Sequence, residues 1–225
     1  MGRLLPTLKL ATLLLEDESQ IGFLVGLLDI ERHKEITNPE AIRRAKRPIH
    51  TFEARKNPSR DEVTAVWRDL MNLEVIWGEL DQSEEGHEGL HGLTVFQENG
   101  SKTIDLNSIY FDVLIRCMPV SVYTDVNWDP GTDETSARLR VQWLCAVTMV
   151  HELMHAIWFD KHELRRPEPF YTDTRVSEIG WQWEQCVFSG IPESQAFEPA
   201  CPYVSTLSSS ATPSNPMSFP PWKPH

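Results

Sequence analysis

The residues with the most chemistry in this chain are His151, Glu152 and His155, spaced His-Glu-x-x-His inside the run from Thr148 to Trp158. On an α-helix, residues four apart lie about 40° from each other around the axis, so the two imidazoles share a side and can grip one metal ion. Zn²⁺ held by two imidazoles needs a third protein ligand and keeps a fourth position for water, whose pKa the metal lowers to roughly 7. Glu152, beside the first ligand, is the natural base for that water. The competing reading is two satisfied core histidines with Glu152 as an exposed break. Against it stand the flanks, since Val141, Leu144, Val147, Val150, Leu153, Met154, Ile157 and Trp158 make the run apolar on nearly every side, as in a helix buried in a core. Histidine and glutamate buried there without partners are costly, and metal ligation accounts for all three at once.

The elements that position these residues come from the rest of the chain. Its 225 residues are 40% hydrophobic and 24% charged, with eight Trp and nine Phe, which suits one core and not two full domains. The expected organisation is one catalytic domain over residues 1–200, of which 1–60 form a helical and basic extension, followed by a Ser- and Pro-rich irregular tail over 201–225. A formal charge of −12 argues against nucleic acid or an anionic membrane as partner. Pro6 and Lys9 interrupt the apolar stretch Leu4 to Leu15, and Glu16, Asp17 and Glu18 follow where a secretion signal would carry a small-residue cleavage site. No run of about 18 apolar residues exists, so no membrane span is expected. Cys117, Cys145, Cys186 and Cys201 lack paired spacing and read as reduced thiols, which implies a cytoplasmic protein.

A short apolar helix is expected from Ile21 to Ile30. The stretch from Glu31 to Arg60 is basic, and reads as a solvated, Pro-punctuated connection around a small helix begun by Asn38 and Pro39, or as a site for an acidic partner. Ser59 can cap a firmer helix in which Val63, Val66, Trp67, Leu70, Leu73 and Trp77 recur at helical spacing; it is expected to pack on the sheet. Asp81 to Gly92 is expected to be a flexible acidic loop. Its His87 and His91 are four apart, but Gly86, Gly89 and Gly92 oppose the helix that would pair them on a metal. Leu93 to Gln97 and Thr103 to Ile115 read as strands joined by a hairpin at Glu98 to Ser101, and Asp129, Pro130 and Gly131 as a turn before the histidine helix.

A small sheet, then a helix with His151-Glu152-x-x-His155, then a mostly helical remainder resembles the zincin superfamily of metallopeptidases over about Leu93 to Ser189. The resemblance implies an α+β fold: a small mixed sheet packed on the histidine helix, with an antiparallel edge strand, either Leu93 to Gln97 or Ile104 to Tyr110, holding an extended substrate by main-chain pairing. The metzincin pattern is absent, because Trp158 and Lys161 stand where Gly and a third His belong and His162 comes one place late. Asp160 and Asp173 lack the motif of the Asp-ligated zincins. Gluzincins take a Glu from a second helix, and Glu178, 23 residues past His155, fits within Val176 to Gln185. Glu178 and Glu184 diverge by about 120° on a helix, so only one can face the metal. Glu178 is preferred, being nearer the helix start with Trp181 and Gln182 beside it; its other reading is a first-turn carboxylate suited to the helix dipole. Glu184, His162 and Asp173 remain the alternatives. Gln182 stands where gluzincins often carry an Asp that orients the first His, so support for that His must come from elsewhere. The pattern Glu178-x-Gly180-x-x-Trp183-Glu184, followed by Phe188, Ser189 and Gly190, is also similar to zincin-like proteins of fungi that carry no activity over.

In zincins a Tyr, His or Arg donates to the oxyanion, which makes Tyr171 and His162 the candidates. The expected function is therefore a zinc-dependent hydrolase cutting amide bonds of a peptide, with zinc on His151, His155 and Glu178 and with Glu152 as base. A zincin pocket could instead serve a biosynthetic cyclisation, elimination or hydrolysis of a small molecule, for which Trp158, Phe159, Trp181 and Trp183 offer apolar walls. A binding protein with an inert metal site is a third class, disfavoured because Glu152 is present.

Overall fold

The apolar run around the two histidines folds as part of one 28-residue helix, Glu134–Lys161, about 42 Å long. The computed structural model describes residues 4–36, 50–81, 83–87, 90–97, 100–120, 133–162, 167–172 and 177–189. In chain order the elements are α1 (Leu5–Glu16), α2 (Glu18–Leu28), a 3-10 turn (Ile30–Arg32), β1 (Lys34–Glu35), β2 (His50–Phe52), α3 (Arg60–Asn72), β3 (Ile76–Leu80), β4 (Gly92–Phe96), β5 (Lys102–Asn107), α4 (Ser108–Leu114), α5 (Glu134–Lys161), β6 (Phe170–Tyr171) and α6 (Ile179–Phe188). This is an α+β chain. Among the described residues no helix is long and apolar enough to cross a membrane.

Helix α5 is apolar nearly all round because it is shared by two cores. On one side Ala146, Val147, Val150, Met154, Ile157 and Trp158 pack with Phe23, Leu24 and Leu27 of α2, Phe52, Val66, Ile179 and Trp183. On the other, Ala137, Val141, Cys145 and Met149 pack with Ile104 and Leu106 of β5 and Ile109, Tyr110, Val113 and Leu114 of α4. The residues expected to form an N-terminal extension thus contribute to the main core, and α1 packs directly along α5. Asp133 caps the start of α5 by accepting from the Ser136 amide.

The larger sheet has strand order β3-β5-β4, with β3 parallel and β4 antiparallel to β5. It is small and mixed, and β4 is an antiparallel edge strand facing α5, to which Thr94 is bonded. Of the two segments that could have been this edge, Leu93 to Phe96 is the one found. The smaller sheet, β1-β2-β6, has strands of two or three residues.

Three expectations are corrected here. The apolar run to Ile115 leaves the sheet at Asn107, whose side chain accepts from the Ile109 amide and starts α4; the buried set Ile109, Tyr110, Val113 and Leu114 has helical spacing that a continuous apolar run conceals. Helix α3 ends at Asn72, so Trp77 belongs to β3. It packs on α2 rather than on the sheet, with Val66 in the core around Phe23; the Ser59 capping box with Glu62 is formed as expected. The helix at Asn38, the turn at Asp129 to Gly131, Asp173, Cys201 and the tail 201–225 lie outside the described residues.

Gly22 and Gly26, one turn apart on α2, let the chain from Glu53 to Arg55 pass against the helix; a Cβ on Gly26 would come 2.1 Å from the Glu53 carbonyl oxygen. Ala normally stabilises a helix interior over Gly by roughly 0.5–1 kcal/mol. Gly26→Ala is expected to reverse that sign and destabilise by about 1–3 kcal/mol, measured by urea unfolding, because backbone must move to admit the methyl. A stabilised variant would show that α2 does not seat against residues 53–55.

Candidate metal centre

His151 and His155 lie on the face of α5 turned toward the start of α6. Glu178 occupies the N-cap of α6, where one carboxylate oxygen, Oε2, accepts from the Trp181 amide. The other oxygen, Oε1, faces both imidazoles: it is 3.1 Å from His151 Nε2 and in contact with His155 Nε2. One ligand atom from each of His151, His155 and Glu178 lies within 4.8 Å of the other two, a group that could hold a metal ion. One oxygen of Glu178 thus serves the helix end while the other faces the imidazoles.

Each imidazole is fixed from behind by a carboxylate. Glu184 Oε1 lies 2.7 Å from His151 Nδ1, and Glu168 Oε1 lies 2.6 Å from His155 Nδ1. A carboxylate on Nδ1 sets the tautomer that leaves Nε2 for a metal and makes it a better ligand. Glu184 and Glu178 therefore do diverge, one behind His151 and one in front of it. Glu168 also accepts from the Ile179 amide through Oε2, tying the loop before β6 to the helix that carries Glu178. Its only sequence signal is a lone carboxylate between Pro167 and Pro169. Gln182 does not serve His151; its side-chain amide donates to the Pro169 carbonyl.

Glycine permits the close approach of the two helices. A Cβ on Gly180 would fall 2.3 Å from His151 Nε2 and Cδ2, so the imidazole lies flat on bare backbone of α6. Gly92 plays the same part for Glu152: a Cβ there would be 2.9 Å from Glu152 Oε1 and 2.8 Å from Thr148. Glu152 is 6% exposed, and Thr94 Oγ1 donates to its Oε2 at 2.7 Å. Thr94 is the polar residue at an inward position of a strand otherwise apolar around it, between Leu93 and Val95.

Three glutamates, Glu168, Glu178 and Glu184, thus meet two imidazoles. Burial resists protonation of His151, yet Glu178 and Glu184 outweigh it and push its pKa up to about 9. Burial likewise opposes a charge on His155, and Glu168 and Glu178 raise it well above the ordinary value. Burial also disfavours ionised Glu178, but the two imidazoles hold its carboxyl well below the usual range. The pocket is built to hold positive charge, and a divalent cation can replace the protons that supply it.

The two oxyanion candidates lie elsewhere. The Tyr171 ring packs on Phe23 and Phe52, and its hydroxyl accepts from Cys186, eight residues beyond Glu178 and so about 12 Å along α6. His162 ends α5 with its ring edge-on to Trp158, two turns past His155. Asp160 pairs with Lys102. His87 meets the Asp81 carbonyl, whereas His91 turns inward to Tyr110. No family model, curated protein or solved structure matches the chain.

Two outcomes follow from this geometry. Gly180→Ala removes no ligand but is expected to weaken metal binding at least as much as Glu184→Ala, for which a loss of about 10–100-fold is typical, while Glu178→Ala gives the metal up most readily to a competing chelator. Equal retention by the Glu178 and Glu184 variants would undo the assignment. Because metal must displace protons that the carboxylates hold on His151 up to about pH 9 and on His155 well above the ordinary range, affinity is expected to fall as pH drops below 9, by about tenfold per unit for each proton displaced. Calorimetry in buffers of different ionisation enthalpy counts those protons.

Proposed function

We propose that the chain is a zinc-dependent hydrolase of the gluzincin kind that cuts amide bonds in peptides. The observation that carries this reading is the convergence of His151 Nε2, His155 Nε2 and a Glu178 oxygen, with a carboxylate behind each imidazole and Glu152 one residue from the first ligand. Two imidazoles and one carboxylate suit zinc, and leave a position open for substrate or water. Bound there, zinc supplies Lewis acidity, lowering the pKa of water toward roughly 7 and polarising a carbonyl.

The protein's own part is to place and move the proton. Thr94 occupies Glu152 Oε2 and holds the side chain in one orientation, so that the carboxylate can take a proton from the attacking water. It then returns that proton to the leaving nitrogen. Burial of Glu152 keeps bulk water from competing for it. Glu184 and Glu168 hold the two imidazoles by Nδ1, which turns Nε2 of each toward Glu178.

A peptide is favoured over a small molecule by β4. This strand pairs with β5 on one side and, among the described residues, with no strand on the other, and it carries Thr94 directly onto Glu152. An extended backbone added to that free edge would run past the base. Trp158 and Trp183, read as possible walls for an apolar small molecule, are instead buried in the core.

Elemental analysis is expected to find one zinc per chain, lost in the His151→Ala, His155→Ala double variant. Glu152→Gln should retain zinc while cleavage of a proteome-derived peptide library, read by mass spectrometry, drops by at least about 10²-fold. Full zinc occupancy in the double variant removes the basis of the reading. Undiminished cleavage by Glu152→Gln would point to another base.

A further inference from the structure

The basic stretch from Glu31 to Arg60 has no part in the metal centre, and the structure folds two pieces of it round a cavity of about 530 Å³. That volume is within the range of small-molecule pockets. The cavity is lined by the end of α2, the 3-10 turn, β1, β2 and the residues that follow β2. Arg32 and Lys34 reach it from the turn and β1, and Arg55 and Lys56 from the chain past β2. Against these four cations the lining has two carboxylates, Asp29 and Glu53. In a chain of formal charge −12 this is a local reversal of sign.

The cations are gathered at the cavity without being locked. Arg32 pairs with Asp29 at 2.9 Å, Lys34 with Glu53 at 2.8 Å and Arg55 with Glu62 at 3.5 Å, and these three side chains are 55%, 73% and 41% exposed. Ion pairs this exposed hold weakly, so an anion of higher charge can draw the cations from them. Lys56 is in none of these pairs. The two guanidiniums lie close enough to share a partner: Glu62, held below the ordinary carboxylate range by Ser59, is lowered further by the charges of Arg55 and Arg32. The carbonyls at the end of α2, which would repel an anion, are covered. That of Val25 accepts from the Asp29 amide, and those of Gly26 and Leu27 lie 3.2 and 3.0 Å from His33 Nε2, which donates because a carbonyl can only accept. The His33 ring stacks on Phe52 and on Trp158, which fixes this cover in place.

We propose that this cavity binds a small molecule bearing a diphosphate group, gripped by Arg32 and Arg55 with Lys34 and Lys56 on its flanks. A guanidinium presents parallel N–H donors that match phosphate oxygens two at a time. Phosphate also carries the charge the place requires, because the incoming group must displace Asp29, Glu53 and Glu62, and a single carboxylate would only exchange like for like. Nucleic acid fits less well. A long polyanion would run on from the cavity over an acidic protein, within the roughly 8 Å over which charges act at physiological ionic strength, whereas a small ligand stays among the four cations. The site is separate from the metal centre and does not depend on the hydrolase reading.

Pyrophosphate is the probe, titrated by calorimetry into the full chain after metal has been removed by chelation. One site per chain is expected. Arg32→Ala and Arg55→Ala should each raise Kd by roughly ten- to a hundredfold, the loss of one charge-assisted contact, with the urea unfolding midpoint unchanged because both side chains are exposed. Arg55→Lys keeps the charge without the fork and should restore little of the loss. Citrate, of similar charge but without phosphate, should bind at least about tenfold more weakly than pyrophosphate. In amide NMR spectra pyrophosphate should move the signals of Lys34 and Ala54 and leave those of His151 and Gly180 in place. No binding by the wild type, a Kd unmoved in both alanine variants, or shifts confined to the His151 region overturns the proposal. Full recovery in Arg55→Lys, or equal affinity for citrate, overturns it as well, since the cavity would then be a diffuse positive patch and not a phosphate site.

Discussion

Two imidazoles sit in the interior of a helix that is packed on both sides, and nearly everything distinctive about this structure answers the cost of putting them there. A polar ring buried without partners loses several kcal/mol of hydration, and a charged one far more. Helix α5 cannot turn His151 and His155 outward, because Val150, Met154 and Ile157 on one flank and Met149 on the other are already committed to two cores. The partners must therefore come to the histidines. Glu184 and Glu178 come from α6, and Glu168 comes from the loop between the helices.

That requirement fixes how closely α5 and α6 pack. Glu178 and Glu184 can reach opposite nitrogens of His151 only if the helix joining them passes right over the ring, and Gly180 is the residue beneath it. Glu168 then does two jobs with one carboxylate, orienting His155 and satisfying the Ile179 amide at the start of α6. Glu178 is used in the same double way, one oxygen on the Trp181 amide and the other on the imidazoles. It also couples the cluster to the fold: loosening the start of α6 loosens the Glu178 contact to both imidazoles.

The same logic holds on the sheet side. Thr94 reaches Glu152 because β4 approaches α5 at Gly92, where a side chain would strike the carboxylate. Strand alternation turns Thr94 inward and Val95 outward, so the edge strand that pairs with β5 also supplies the contact to Glu152. Tyr110, at the head of α4, closes the gap between sheet and helix and links Thr148 to His91. The correction of Thr103 to Ile115 matters here, for only a helix starting at Asn107 carries Tyr110 back toward α5.

The pair on α5 was legible from spacing alone, since 3.6 residues per turn puts His151 and His155 together whatever surrounds them. The Ser59 cap and the apolar character of α5 were legible in the same local way. These are properties of one helix turn, and local geometry decides them, whereas Glu178 turned out to be the extended N-cap of α6 and not one of its helical residues. The switch from β5 to α4 was not, because a fully apolar run has no period to read. Nor was Glu168, Thr94 or His91, each far from the histidines in sequence and on a loop or strand whose path is set by packing. The surroundings of Tyr171 and His162 were hidden for that cause too: the Tyr171 ring meets Phe23 and Phe52, and the His162 ring meets Trp158. Residue type states what a side chain can do, and its neighbours along one helix state which face it shares; which distant groups it meets is decided only when the apolar surfaces of α2, α5, α6 and the sheet are buried against one another.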